Sequence, residues 1–190
     1  MEATSKSQNI SLQHYFVVFQ RLFIIFWVFA FLGHYLEIIW SWLNHLAFST
    51  NLWLPSTPTF IPLAPPYGMG VVAAILLTWP FIKRHEFNPV QSFVLNVFIS
   101  ALVEYLSAIF LVFVDGYNKF WNYSNQPFNL NGYICLENSL LFGLGATVFL
   151  YYIYPIYKKF IDKLKLPQLD MLFLIMFVSY GVDLILINFR

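Results

Sequence analysis

The chain has 190 residues, of which 59% are hydrophobic, 21% aromatic and only 10% charged, with a formal net charge of +1. Soluble domains carry about a quarter charged residues, so this composition excludes an ordinary water-soluble globule; the near-neutral balance also excludes the basic footprint of a nucleic-acid binder. One cysteine cannot close an intrachain disulfide, and the length suits a single integral-membrane domain, 1–190.

In chain order, the opening MEATSKSQNISLQHY lacks the short apolar core and small-residue cleavage site of a secretory signal, so the first apolar stretch is expected to be a retained helix. Breaks at Pro, Gly, Asn and charge clusters delimit five apolar segments, approximately Leu22–Leu43, Tyr67–Ile82, Val90–Val114, Ile134–Tyr157 and Leu169–Phe189. A crossing of about 30 Å of hydrocarbon takes roughly 20 apolar residues, so the segments predict an all-α, polytopic bundle of about five transmembrane helices. The second segment is short for that task and is expected to thin the bilayer or to begin below its surface. A six-pass alternative places a re-entrant piece in 44–66.

The basic residues set an orientation. With the N-terminus inside, Lys6, Arg21, Lys83, Arg84, Lys158, Lys159, Lys163 and Lys165 are cytoplasmic, leaving only Lys119 and Arg190 outside. That asymmetry across short loops gives N-in, C-out. Trp40, Trp42, Trp53 and Trp121 then fall near the outer interface as an aromatic belt.

In this orientation the polar stretch NKFWNYSNQPFNLNGYICLENS is an outer loop leading into the fourth helix. Its asparagines suit turns and helix caps, with Asn131 or Gly132 as the expected cap. Beyond it, Ser139, Gly143 and Thr147 recur every fourth residue, a small-residue stripe that admits a closely packed neighbour. Glu37, Glu104, Glu137 and Asp183 fall inside the predicted spans, each in the middle or outer half. A carboxylate at the bilayer centre costs about 2.5–3.5 kcal/mol on insertion scales and therefore tends to face protein or water. His34 lies one turn before Glu37 on the same helix face. No Lys or Arg in the spans neutralises the acids, so they must be protonated or meet a cation or amine. These residues, with Asn129 and Asn131 as a lid, predict an acidic, outward-opening pocket. Protonated packing residues are the structural alternative.

FWNYSNQPFNLNGYICLENSLLFGLGA resembles the signature segment of the type IV ABC-transporter permease family of bacterial multi-pass membrane proteins. FLGHYLEIIW with Glu37, PPYGMG with Tyr67, Gly68 and Gly70, and LVEYLSA with Glu104 match it in the same order. The resemblance spans roughly 31–154 and brings Tyr67 and Trp121 into the candidate pocket. The family carries Asp after the Trp and Arg after the Gly, where this chain has Asn122 and Tyr133. It implies a permease-like membrane subunit in a bacterial cytoplasmic membrane, working with an ATP-binding partner on the cytoplasmic face.

The chain has no GxxxxGK[ST], so ATP would bind to that partner and not here. Two loops are available to it, Lys83–Pro89 and the basic, amphipathic Lys158–Leu166, the second of which also suits a membrane lipid surface. Neither resembles the Glu-Ala-Ala coupling loop of importer permeases. No cofactor and no metal site is expected; the expected ligand is a small solute or cation. Two alternatives remain: an intramembrane enzyme or lipid-handling protein using Cys135 with His34 as base, and a non-transporting assembly or sensor subunit. The topology is checked in a Cys135→Ser background: a cysteine at Gln126 should react with an impermeant thiol reagent in intact cells, and one at Asp162 only after lysis.

Overall fold

The computed structural model describes residues 2–48, 61–118 and 121–187. Trp53, Lys119, Arg190 and most of the possible re-entrant piece in 44–66 lie outside the described residues. The helices are α1 (Glu2–Phe48), α2 (Pro65–Ala73), α3 (Trp79–Arg84), α4 (Pro89–Asp115), α5 (Leu136–Val148), α6 (Tyr154–Ile161) and α7 (Leu166–Ile187). A two-residue antiparallel hairpin joins β1 (Asn129–Leu130) to β2 (Ile134–Cys135), pairing Asn129 with Cys135 and Leu130 with Ile134. Among the described residues, five helical stretches are long and apolar enough to cross a membrane: Leu12–Ile39, Pro65–Arg84, Pro89–Val114, Leu136–Ile161 and Leu166–Leu186.

Two of these five are interrupted in the same way. A π-helical turn, Ala74–Thr78, joins α2 to α3, and another, Phe149–Ile153, joins α5 to α6. Each is followed two residues later by a proline, Pro80 or Pro155. A proline inside a helix has no N–H and its ring crowds the carbonyl four residues back. Widening the turn ahead of it relieves that crowding and re-pairs the backbone, with Trp79 N bonded to Ala74 O and Tyr154 N to Phe149 O. The Thr78 hydroxyl adds a bond to Ala74 O at 2.8 Å. The helices therefore continue through both prolines.

The chain divides into two compact units, 1–72 with 159–190, and 73–158. In the first, α1 packs on α7 through an aromatic seam in which Phe16, Phe19 and Phe23 meet Phe173 edge-on, while Phe26 meets Tyr180. Gln20 and Arg21, whose polarity reads as a helix boundary in sequence, lie inside α1. Gln20 Nε2 donates to Asp170 Oδ1 at 2.8 Å and Arg21 Nη1 pairs with Asp162 Oδ1 at 2.6 Å. These bonds let the apolar run Tyr15–Phe19 join the one after Leu22. α2 enters beside the middle of α1, where Ala64 N donates to Ala30 O at 2.8 Å. Gly33 and Gly68 make that approach possible: a Cβ on Gly33 would strike the Tyr67 ring, and one on Gly68 would strike Phe26 O.

In the second unit α4 packs along α5. Ser139, Gly143 and Thr147 are buried in that contact. A Cβ on Gly143 would lie 2.8 Å from Val97 N and 2.9 Å from Val97 Cα, so backbone would have to move to admit any side chain. Asn96, 1% exposed, donates through Nδ2 to Thr147 Oγ1 at 2.9 Å, and Thr147 donates on to Gly143 O at 2.7 Å. Asn88 caps α4 with Gln91 in a reciprocal capping box. Overpacking of a tight contact costs typically 1–3 kcal/mol. Gly143→Leu should accordingly lower the Tm of the purified protein or abolish its folding, whereas Leu144→Phe, on the exposed face, should leave Tm nearly unchanged.

Candidate functional site

The polar loop closes mainly on itself. Asn122 Oδ1 accepts from Ser124 N and Ser124 Oγ, at 2.9 and 2.7 Å. Asn129 Nδ2 donates to Gln126 O at 2.8 Å, and Asn129 Oδ1 accepts from Gly132 N at 3.1 Å. Asn131 and Gly132 take positive φ values, +56° and +70°, at the tip of the hairpin, a conformation that Asn and Gly adopt most easily. Trp121 Nε1 donates to Tyr133 O at 2.8 Å, and Tyr123 N donates to Gly132 O at 2.9 Å. The loop's asparagines thus supply the backbone partners that a short, irregular segment cannot find in a helix or sheet. Cys135, in β2, occupies the N-cap position of α5 without a side-chain capping bond; Asn131 and Gly132 form the hairpin turn ahead of it.

Two side-chain bonds clasp this loop to α4. Tyr123 donates its hydroxyl to Glu104 Oε1 at 2.9 Å. Asn131 Nδ2 donates to the Tyr105 hydroxyl at 2.8 Å, and the Tyr105 ring packs at 5.7 Å from that of Tyr133. Glu104 Oε2 is buried and has no hydrogen-bond partner among the described residues. Burial, reinforced by the Glu104 carboxylate, pushes the Tyr123 phenol above its usual value of 10.0. Of the other candidates in this unit, Glu137 is exposed in the first turn of α5, where the helix dipole favours a negative charge. Cys135 is only 2% exposed, the environment of a small buried hydrophobe and not of an accessible nucleophile.

In the other unit Asp183 is 1% exposed and its Oδ1 accepts from Ile61 N at 2.9 Å. Residues 61–64 are non-helical, and Leu63 and Ala64 are buried, so this carboxylate satisfies backbone at the point where the chain turns into α2. Glu37 is half-buried and is an electrostatic neighbour of the Tyr67 hydroxyl. His34 Nδ1 is buried without a hydrogen-bond partner among the described residues. Each unit therefore holds part of the expected residue set: His34, Glu37, Tyr67 and Asp183 in one, Glu104, Trp121, Asn129, Asn131 and Glu137 in the other.

Sequence reasoning passed over several participants. Tyr123 and Tyr105 complete the clasp, although phenols in an aromatic-rich chain carry no signal of their own. Gln20 and Asn96 were findable, since an amide within an apolar run raises the same question as a carboxylate. No group of three or more His, Cys, Asp or Glu side chains with metal-binding geometry occurs among the described residues.

The family model described as "Putative ABC-transporter type IV" matches residues 24–187, nearly the whole chain. No curated protein and no solved structure matches. The matched region contains Gly33, Tyr67 and Gly68 at the α1–α2 approach and Glu104, Trp121 and Gly132 at the loop clasp. Asn122 and Tyr133, where the resemblance implies Asp and Arg, serve here as a turn acceptor and as the carbonyl partner of Trp121.

A raised phenol contributes stability that is fully present below its unfolded pKa near 10 and is lost as pH rises through the folded value. Wild type should therefore lose Tm relative to Tyr123→Phe as pH climbs from 9 to 11. At neutral pH Tyr123→Phe should cost about 1–3 kcal/mol, as expected for a bond to a buried acceptor, and the cost should shrink in a Glu104→Gln background. The chain is a membrane protein whose described residues include five helices long and apolar enough to span the bilayer, and it belongs to the family described as putative ABC-transporter type IV.

Proposed function

We propose that the chain is a permease-like, multi-pass membrane subunit that handles a small solute or cation, with its N-terminus inside a bacterial cytoplasmic membrane. An ATP-binding partner would supply energy from the cytoplasmic face, docking on 83–89 or 158–166. The family match supports the ABC-related role. The single observation that carries the solute-handling reading is Glu104: a carboxylate beneath a polar loop, with one oxygen held by Tyr123 and the other buried without a partner among the described residues. A buried acceptor in that state gains from a proton, a cation or an ammonium donor.

In this reading Glu104 is the principal solute-facing group of its unit, and Asn129, Asn131, Trp121 and Glu137 form its lid and rim. Glu37, His34, Tyr67 and Asp183 are the polar groups of the other unit. A carboxylate that binds cations in its ionised form and neutral solutes in its protonated form makes the cargo step pH-dependent. Thermal-shift curves should be recorded across pH with sodium, potassium and small alkylamines, for wild type, Glu37→Gln, Glu104→Gln and Glu137→Gln. Ligand-induced stabilisation that depends on pH in wild type and is lost in Glu104→Gln supports the reading. Identical responses in all four proteins reduce the carboxylates to structural groups. Mass spectrometry of the gently solubilised complex should also recover an ATPase subunit.

A further inference from the structure

At the end of the second unit that carries Lys83, Arg84 and Lys158, a half-open cleft encloses about 270 Å³ between Trp79, Ile82, Lys83, Glu86, Phe87 and Tyr151. Small-molecule pockets run to roughly 300–1,000 Å³, so this one suits a headgroup better than a large solute. We propose that it binds the zwitterionic headgroup of an ethanolamine phospholipid, the phosphate at Lys83 and the ammonium at Glu86.

The cleft lies between α3, which leaves the first π-helical turn at Trp79, and the second π-helical turn, which carries Tyr151. Trp79 closes the first turn and Tyr151 sits within the second, and their rings meet edge-on at 6.4 Å. π-helical turns are rare, well under 1% of residues, and concentrate at functional sites. One of them supplies Tyr151 to this cleft, and the other ends immediately before Trp79. The rest of the wall is fixed. Tyr151 donates its hydroxyl to Phe87 O at 2.5 Å and accepts from Ser92 Oγ at 2.7 Å. Phe87 N bonds back to Ile82 O at 3.1 Å, and the capping box of α4 begins at the next residue. Glu86 is held at φ +50° in this turn, a conformation that side chains other than Asn, Asp and Gly seldom adopt. A site so constrained is formed before its ligand arrives, which reduces the ordering cost of binding.

Charge selects the ligand. Lys83 Nζ lies 5.0 Å from the Trp79 ring centroid, a cation–π contact that steers it over the cleft. Glu86 lines the same cleft, and neither residue forms an ion pair among the described residues, where Arg21–Asp162 is the one such pair. One unpaired cation and one unpaired carboxylate around a single cavity match a ligand with both charges. A phosphate monoanion alone leaves Glu86 facing it with like charge, and an amine alone leaves Lys83 so. The primary ammonium of ethanolamine also donates charge-assisted hydrogen bonds to a carboxylate. The indole and phenol, amphipathic rings of the kind found at membrane interfaces, place the cleft at headgroup depth. The exposed apolar residues Phe81 and Ile156, on the helices that frame it, suit acyl chains.

The test uses the full chain in detergent, with matched additions of dioleoyl phosphatidylethanolamine or dioleoyl phosphatidylglycerol, read by Tm and by bound lipid in native mass spectrometry. Wild type should retain and be stabilised by the ethanolamine lipid in preference to the glycerol lipid. Lys83→Gln should lose both effects while its Tm without lipid stays near wild type. Glu86→Gln should shift the preference toward phosphatidylglycerol, since an anionic headgroup no longer meets a carboxylate. Equal retention of the two lipids by wild type, or unchanged preference in Glu86→Gln, overturns the proposal. Soluble phosphoethanolamine added alone distinguishes the sources: stabilisation by it to the same extent overturns the lipid assignment in favour of a free zwitterion, and little or no effect supports the lipid.

Discussion

A backbone group left unpaired in hydrocarbon costs several kcal/mol, and the irregular backbone of this chain is arranged around avoiding that cost. The prolines at 80 and 155 each remove a donor from a helix that must continue, and the π-helical turns ahead of them restore the pairing. The non-helical stretch 61–64 is satisfied by Asp183, by Ala30 and by its own turn. The loop after α4 carries a density of asparagine and serine that looks out of place beside its apolar neighbours, because nearly every one of those side chains pairs with nearby backbone or clasps the helix. Polarity in this protein is repair as much as chemistry.

Once pairing is secured, packing depends on small residues. Lipid tails are as apolar as leucine, so helices gain little from burying Leu against Leu and associate where backbones can approach. Gly33 and Gly68 do this between α1 and α2, and Gly143 does so between α4 and α5. Their neighbours are polar in a specific way: Asn96 and Thr147 bond across the α4–α5 contact beside Gly143. Large apolar residues such as Phe98, Phe110 and Phe113 point outward, as expected for a chain whose solvent is lipid.

These two requirements separate the acidic residues by role. Asp183 is engaged with backbone, and Glu137 sits exposed at a helix start. Glu104 is held by a phenol on one oxygen only. The carboxylates that resemble one another in sequence thus occupy unlike environments: Asp183 meets backbone, Glu104 a loop phenol, and Glu137 lies exposed. The loop serves Glu104 indirectly, since the hairpin, the Trp121–Tyr133 bond and the turn at Asn122 together fix Tyr123.

The membrane class, the five apolar helices and the small-residue stripe were legible in the sequence, because each is a property of local composition and period. The residues that resemble the family segment were legible for the same reason, and the family model covers 24–187. Pairing was not. Gln20 with Asp170, Arg21 with Asp162, Ser92 with Tyr151 and Glu104 with Tyr123 join residues 150, 141, 59 and 19 positions apart. Periodicity says which face of a helix a side chain occupies but not which distant side chain it meets there. The length of α1 shows the consequence: Gln20 and Arg21 read as its boundary until partners on the far side of the sequence make them part of its interior. Only the tertiary structure supplies those partners, because a hydrogen bond is decided by distance and direction in space, to within a few tenths of an ångström.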